Sequence, residues 1–405
     1  MKAINAAMIG LGLFTACTPS TGRLQDGVWR GELAVYEGRQ VPFLFEVQRA
    51  ATDAATVTLL NGDERVPLTG VQYVGDTVLI PIEAYDAVIK ATVSGDRLEG
   101  LFLKNYVEND LGVAFKARRG DAPRFEVSAH PTAFSLDGKW DVFFGEKDDA
   151  TRNVGIFKSE NQIVTGSILT NSGDLRFLEG ALTEQGVVLS AFSGLSPYLI
   201  EINFTDDTSF EGTFYTARSQ TKLVGKRNEH AALDDAYSLA QLKAGFSTLS
   251  FALPNTDGQV ISLKDERYKD KVVIISILGS WCPNCLDELG FLAPWYAANK
   301  DRGVEVIGLA FERKNDLEYA TKAINRLKER FGVAYEILFA GQANAETVAK
   351  VLPEVQNFGG YPTTIFIDKT GKVQKIHTGY SGPATGLFYE EFKKEFNELL
   401  DSLLK

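Results

Sequence analysis

The sequence predicts a multidomain chain: an all-β N-terminal region of two related antiparallel barrel- or sandwich-like units, followed by a C-terminal α/β domain. Three observations carry that prediction. From about Leu24 to Arg227, short alternating runs such as Val41-Pro42-Phe43-Leu44-Phe45-Glu46-Val47 are separated by the turn signals Asn61-Gly62-Asp63, Gly75-Asp76 and Ser94-Gly95-Asp96. Turns recurring every ten or so residues suit sandwiches and barrels rather than βα units. Phrases in this region also return about 110 residues later, which marks a duplicated unit. Near residue 248 the period changes, and strand-like runs begin to alternate with helical stretches.

Bulk properties narrow the function. At 405 residues the chain exceeds one ordinary core. A formal net charge of -11, with no Lys/Arg-rich run, argues against a nucleic-acid partner. Only 3 cysteines exclude a disulfide scaffold and leave one close pair plus one odd thiol.

Residues 1–17 explain the odd thiol. Met1-Lys2 gives a basic start, Ala6 to Phe14 a brief apolar run, and Phe14-Thr15-Ala16-Cys17 a small-residue cleavage context. This resembles a bacterial lipoprotein signal, and the apolar run falls short of the roughly 20 residues that span a bilayer. The resemblance implies lipid attachment at Cys17, a membrane anchor, and a place in the periplasm or cell envelope. Phe14 departs from the usual Leu of that signal, and an ordinary secretory signal is the alternative. Either exports the protein.

The β units are expected at 24–119 and 134–227. Asp26-Gly27-Val28-Trp29 returns as Asp137-Gly138-Lys139-Trp140, Leu68-Thr69-Gly70 as Leu178-Glu179-Gly180, and Leu98-Glu99-Gly100-Leu101-Phe102 as Phe210-Glu211-Gly212-Thr213-Phe214. Opening on Gly-x-Trp and closing on a basic pair, each unit resembles the small barrels of the lipocalin and avidin kind. Trp29 and Trp140 either line a ligand cavity or, as is commoner, plug a barrel end. Residues 228–247 form a polar connector, with 231–243 expected as one amphipathic helix.

Within 248–405 the sequence predicts strands over 304–311 and 363–368 and helices over 317–331 and 345–351. The chemistry lies at Trp281-Cys282-Pro283-Asn284-Cys285, directly after the apolar run Val272 to Leu278. Gly279 and Ser280 break the strand, and Pro283 is tolerated in a first helical turn. Cys282 therefore sits at a helix N-terminus, where free N–H groups and the dipole favour a thiolate. That makes Cys282 the attacking sulfur and Cys285 the resolving one. A structural disulfide or half a zinc site are the alternatives. Zinc would need two more ligands, yet Cys17, His130, His230 and His377 are remote in sequence, so no metal is expected.

With those cysteines after a central strand, residues 251–405 resemble the thioredoxin fold and, within it, the TlpA- and ResA-like thiol-disulfide oxidoreductases. The matching residues are Phe251 to Gly258 with Ser262-Leu263, Gly279 to Cys285, Glu288, Gly360-Tyr361-Pro362-Thr363-Thr364, Ile367-Asp368 and Lys369 to Lys372. The resemblance implies that Pro362 is a cis-proline facing the cysteines, with Trp281, Pro283, Tyr361 and Pro362 meeting the client. It implies that Glu288 is a buried carboxyl that trades protons with a thiol; at this spacing only one of Asp287 and Glu288 faces inward, which puts Asp287 on the solvated face. Thioredoxins carry a buried Asp where this chain has Ser276, which leaves Glu288 the only carboxyl candidate nearby. Gly290 replaces a helix-kinking proline of many relatives, and Pro294 is expected to kink the helix instead.

A peroxiredoxin motif would need Pro and Thr where Ile275 and Gly279 stand, and a copper chaperone a wider cysteine spacing. The expected function is thus a membrane-anchored thiol-disulfide oxidoreductase, acting as a reductase on protein thiol clients and fed by a membrane electron donor, with no cofactor beyond Cys282-Cys285. A client-binding lipoprotein dominated by its β region is the competing class.

Overall fold

The computed structural model describes residues 22–49, 55–145 and 151–405; Cys17 and the signal lie outside them. The described residues form two β-barrels and a mixed α/β domain. The second barrel is closed. Its strands run as an antiparallel meander from Gly138–Phe144 to Gln220–Arg227, and those two strands pair with each other to complete the ring. The two-residue strand Gly173–Asp174 folds back on Ile163–Thr170 as an added hairpin.

The first barrel follows the same meander from Gly27–Ala34 to Val113–Arg119, whose ends also pair. It is split between Glu64–Leu68 and Gln72–Val74, which do not pair although they are consecutive. On one side of the split, the edge strand Glu64–Leu68 carries Pro67, which has no N–H to give a further ladder. At the equivalent place in the second barrel, Ile163–Thr170 pairs with Leu178–Leu182 and no proline intervenes.

Trp29 and Trp140 are fully buried. Each indole N–H donates to a carbonyl four residues earlier, Gln25 at 2.9 Å and Leu136 at 2.7 Å. The strand register sets Trp29 opposite Arg119 and Trp140 opposite Arg227, whose guanidinium lies 4.5 Å over the Trp140 ring. Both tryptophans are therefore core, satisfied at their one polar atom. Each tryptophan sits in its own barrel's core, but Phe192 of the second barrel enters the first, 4.7 Å from Phe43 and 5.3 Å from Phe102 between ring centroids.

The connector corrects an expectation. Instead of a helix over 231–243, a single turn spans Ala236–Leu239, capped by Asp235, and Gln241–Leu242 then pairs with Val355–Gln356. Backbone groups that a longer helix would use internally are spent on that ladder.

The C-terminal domain is a five-stranded sheet in the order 336–342, 304–312, 272–278, 363–367, 373–378. Val272–Leu278 is parallel to Val304–Glu312 and antiparallel to Thr363–Ile367, with all seven of its residues buried. The helices Leu317–Phe331 and Ala345–Val351 fall where the sequence pattern places them. Helix Pro283–Asn299 runs through Pro294 as one element. It packs Leu286, Leu289 and Leu292 against Phe396 and Leu400 of the terminal helix Leu387–Leu404. The same apolar cluster continues into the first barrel, so the β region and the α/β domain meet across a common core.

Candidate active site

The site is assembled where the central strand ends and the helix Pro283–Asn299 begins. Gly279-Ser280-Trp281 turns the chain, and Cys282 takes the N-cap position with extended φ/ψ of -97° and 114°. Its Sγ accepts the backbone N–H of Cys285 at 3.2 Å. Charge appearing on Sγ upon reduction therefore meets a donor and the positive end of the helix. Cys282 is 5% exposed and Cys285 fully buried, and the two are joined as a disulfide with Cα atoms 5.2 Å apart.

The Tyr361-Pro362 peptide is cis, as the resemblance implied. The Tyr361 carbonyl lies 3.7 Å from Cys282 Sγ, and the Pro362 carbonyl accepts from the Gly379 N–H at 2.9 Å. Trp281 donates its indole N–H to the Phe311 carbonyl at 3.0 Å and meets Tyr361 edge-on at 5.4 Å. Cys282, Trp281, Tyr361 and Pro362 are thereby brought together around one sulfur, and Pro283 heads the helix beside them.

Glu288, one turn beyond Cys285, is 3% exposed. It accepts hydroxyl hydrogen bonds from Ser276 at 2.7 Å and Thr364 at 2.6 Å. Burial pushes its pKa up, and those two bonds pull against the shift. A buried carboxyl whose pKa is raised, one helical turn from the resolving thiol, is suited to take and return a proton. His377 lies elsewhere: it packs between Tyr237 and Phe392, and burial pushes its pKa down to about 4.

Two expectations fail here. Glu288 is not the only carboxyl at the site, because Glu312, fully buried at the end of its strand, accepts from the Ser280 N–H at 3.0 Å and the Ser280 hydroxyl at 2.7 Å. It thus braces the turn into Cys282, and burial raises its pKa as well. Asp287 is not solvated either. Arg176 of the second barrel donates to it at 2.7 Å, donates to the Pro283 carbonyl at 3.0 Å, and pairs with Glu64 of the first barrel. Burial pushes Asp287 up to about 7, against the pull of Arg176.

Sequence reasoning missed Arg176 and Glu64. Arg176 holds a left-handed φ of 59°, uncommon for a residue with a side chain, and a conformation that a single sequence does not display. The first barrel reaches the site as well, where Arg313 stacks 3.5 Å over Tyr106, donates to the Tyr85 carbonyl at 3.2 Å and lies 5.7 Å from the Trp281 ring.

A family model described as the AhpC/TSA family matches residues 245–376. The thiol-disulfide oxidoreductase ResA of Halalkalibacterium halodurans is 28% identical over 158 residues, covering 39% of this chain and 77% of the relative. The protein of that name from Geobacillus thermodenitrificans is 31% identical over 136 residues, covering 33% of this chain and 69% of the relative. Among solved structures, a putative thiol:disulfide interchange protein DsbE from Chlorobium tepidum is 23% identical, with 41% of this chain and all of that chain covered, at a TM-score of 0.32.

Proposed function

The chain belongs to the ResA family of thiol-disulfide oxidoreductases, and from that premise we propose that it reduces disulfides of protein clients through Cys282 and Cys285 in the cell envelope. The observation that carries this reading is the cysteine pair at a helix N-cap, beside the Tyr361 carbonyl and one turn from a buried glutamate. In the reduced enzyme the Cys282 thiolate attacks one client sulfur, forming a mixed disulfide and releasing the other as a thiolate. Cys285 then attacks Cys282 Sγ, the client leaves as a dithiol, and the enzyme is left with the disulfide seen here. Glu288 takes the Cys285 proton as that sulfur attacks. Two electrons pass from enzyme to client, and a membrane electron donor restores the dithiol.

The reading calls on no cofactor besides the cysteine pair. The peroxidase chemistry of peroxiredoxins is not proposed, since Ile275 and Gly279 stand where that motif needs Pro and Thr. The lipoprotein-like residues 1–17 support attachment to a membrane through a lipid on Cys17.

The test is reduction of insulin by the protein supplied with a dithiol. Cys282→Ser should abolish turnover and Cys285→Ser should accumulate a mixed disulfide. Turnover that survives in Cys282→Ser would overturn the proposal. Fatty-acid labelling that is present in the wild type and lost in Cys17→Ser checks the anchor.

A further inference from the structure

The turn Asn171-Ser172-Gly173, which leads from Ile163–Thr170 into the short strand Gly173–Asp174 of the second barrel, lies on the redox motif itself. A Cβ at Gly173, whose φ is +150°, would fall 1.9 Å from the Asn284 side-chain nitrogen, between the two cysteines in sequence. A Cβ at Gly379 would fall 2.6 Å from the Asn171 carbonyl oxygen, and one at Gly360 would touch Ser172 at 3.6 Å. The turn therefore packs backbone-close against both walls of the site, Pro283-Asn284 on one side and the Gly360-Tyr361 and Gly379 segments on the other. At Gly379 the obstacle is backbone, so a side chain there would force the turn away, and all three glycines hold positive φ values that side chains disfavour.

The turn is also latched. Asp174, 6% exposed, accepts the Gly382 N–H at 2.8 Å and the Arg176 N–H at 2.6 Å. Asn284 donates to the Asp174 carbonyl at 3.4 Å. Asn171 donates to Asp234 at 2.8 Å, and Thr170 donates to the Gly173 carbonyl at 2.9 Å. Arg176 fastens the hairpin to Pro283 and Asp287. Disulfide exchange requires a client sulfur to reach Cys282 Sγ directly, yet Cys282 is 5% exposed.

We propose that the turn 171–173 is the specificity-determining element of the exchange reaction: it admits small or extended disulfides to Cys282 and excludes bulky folded ones until the Asp174 latch opens. The proposal rests on the thiol-exchange reading, but its test reads access to the sulfur and not exchange.

In the full-length Cys17→Ser, Cys285→Ser protein, Cys282 is the single thiol. Its alkylation is followed with iodoacetamide and with a maleimide carrying a long polyethylene glycol chain, each scaled to its rate with free cysteine. The large probe should be disfavoured in this parent protein. Adding Asp174→Ala, which removes the side-chain bonds to the Gly382 and Arg176 N–H groups, should relieve that discrimination by about tenfold. Ser172→Tyr, at an exposed position that tolerates bulk, should sharpen it, with circular dichroism confirming the fold of each variant. Equal scaled rates for the two probes in the parent would overturn the gate, as would discrimination unmoved by both folded variants. Should Asp174→Ala fail to fold, the Ser172→Tyr result decides alone. Size discrimination that responds to these changes while insulin is not reduced supports the gate and counts only against the exchange reading.

Discussion

On the inner side of the helix Pro283–Asn299, Glu288 is satisfied by two hydroxyl groups of its own domain, whereas the neighbouring Asp287 is satisfied by an arginine of the second barrel. Glu288 is buried and Asp287 largely so, its side chain 17% exposed, and the partners differ in kind. Ser276 and Thr364 are neutral donors, so protonating Glu288 strands no cationic partner, while ionising it is opposed by burial and eased by the two hydroxyls. Arg176 is a fixed cation between Asp287 and Glu64, so that side of the helix is a three-way clasp between the two barrels and the redox domain. The contrast sets a carboxyl held by neutral donors on one side against an ion-pair clasp between domains on the other.

The sharpest way to break this comparison is Arg176→Ala. Removing one partner of a buried pair leaves the acids uncompensated, at a cost of about 3–5 kcal/mol, measured by denaturant unfolding. Asp287→Asn in the same background should restore part of the loss, because the stranded charge goes with it. A loss below about 1 kcal/mol, the range of exposed pairs, would mean the clasp is not buried in solution.

Ser276→Ala and Thr364→Val probe the opposite side. Each deletes a donor to Glu288 and should cost about 1–3 kcal/mol. Both bonds hold the carboxyl pKa down, so each variant should also move the pH profile of insulin reduction to higher pH. Stability that falls while the profile stays fixed would confine the hydroxyls to a packing role.

Glu288→Gln is the gentlest change. Because burial raises the folded-state pKa above its ordinary 4.5, the folded protein holds this proton more tightly than the unfolded chain. That contribution is complete below the ordinary value and is lost as pH rises through the folded one. The stability of the wild type relative to Glu288→Gln should therefore decline with rising pH across that window. Parallel stability curves for the two proteins would remove Glu288 from the titrating groups.

Much of the redox domain was legible because its signals are local. Leu317–Phe331 begins at Asp316, which accepts the Tyr319 N–H, and ends at Gly332 in the left-handed region; Asn344 caps Ala345–Val351 in the same way. Such caps lie within a few residues of what they stabilise. The connector misled for the complementary reason. Its apolar spacing suits a helix, but Val355–Gln356, more than a hundred residues away, offers Gln241–Leu242 a ladder instead.

By itself the sequence determined the duplication, the change of period near residue 248, the cysteine pair at a helix start and the candidacy of Glu288, since each depends on residue type and short spacing. Only the tertiary structure decided that one barrel closes while the other stays split, that Glu312 braces Ser280, and that Arg176 and the turn 171–173 settle on the redox motif. Arg176 meets Asp287 across 111 residues and Glu64 across 112. A charged side chain finds such partners only when separate cores dock and shut out water, which no local pattern encodes.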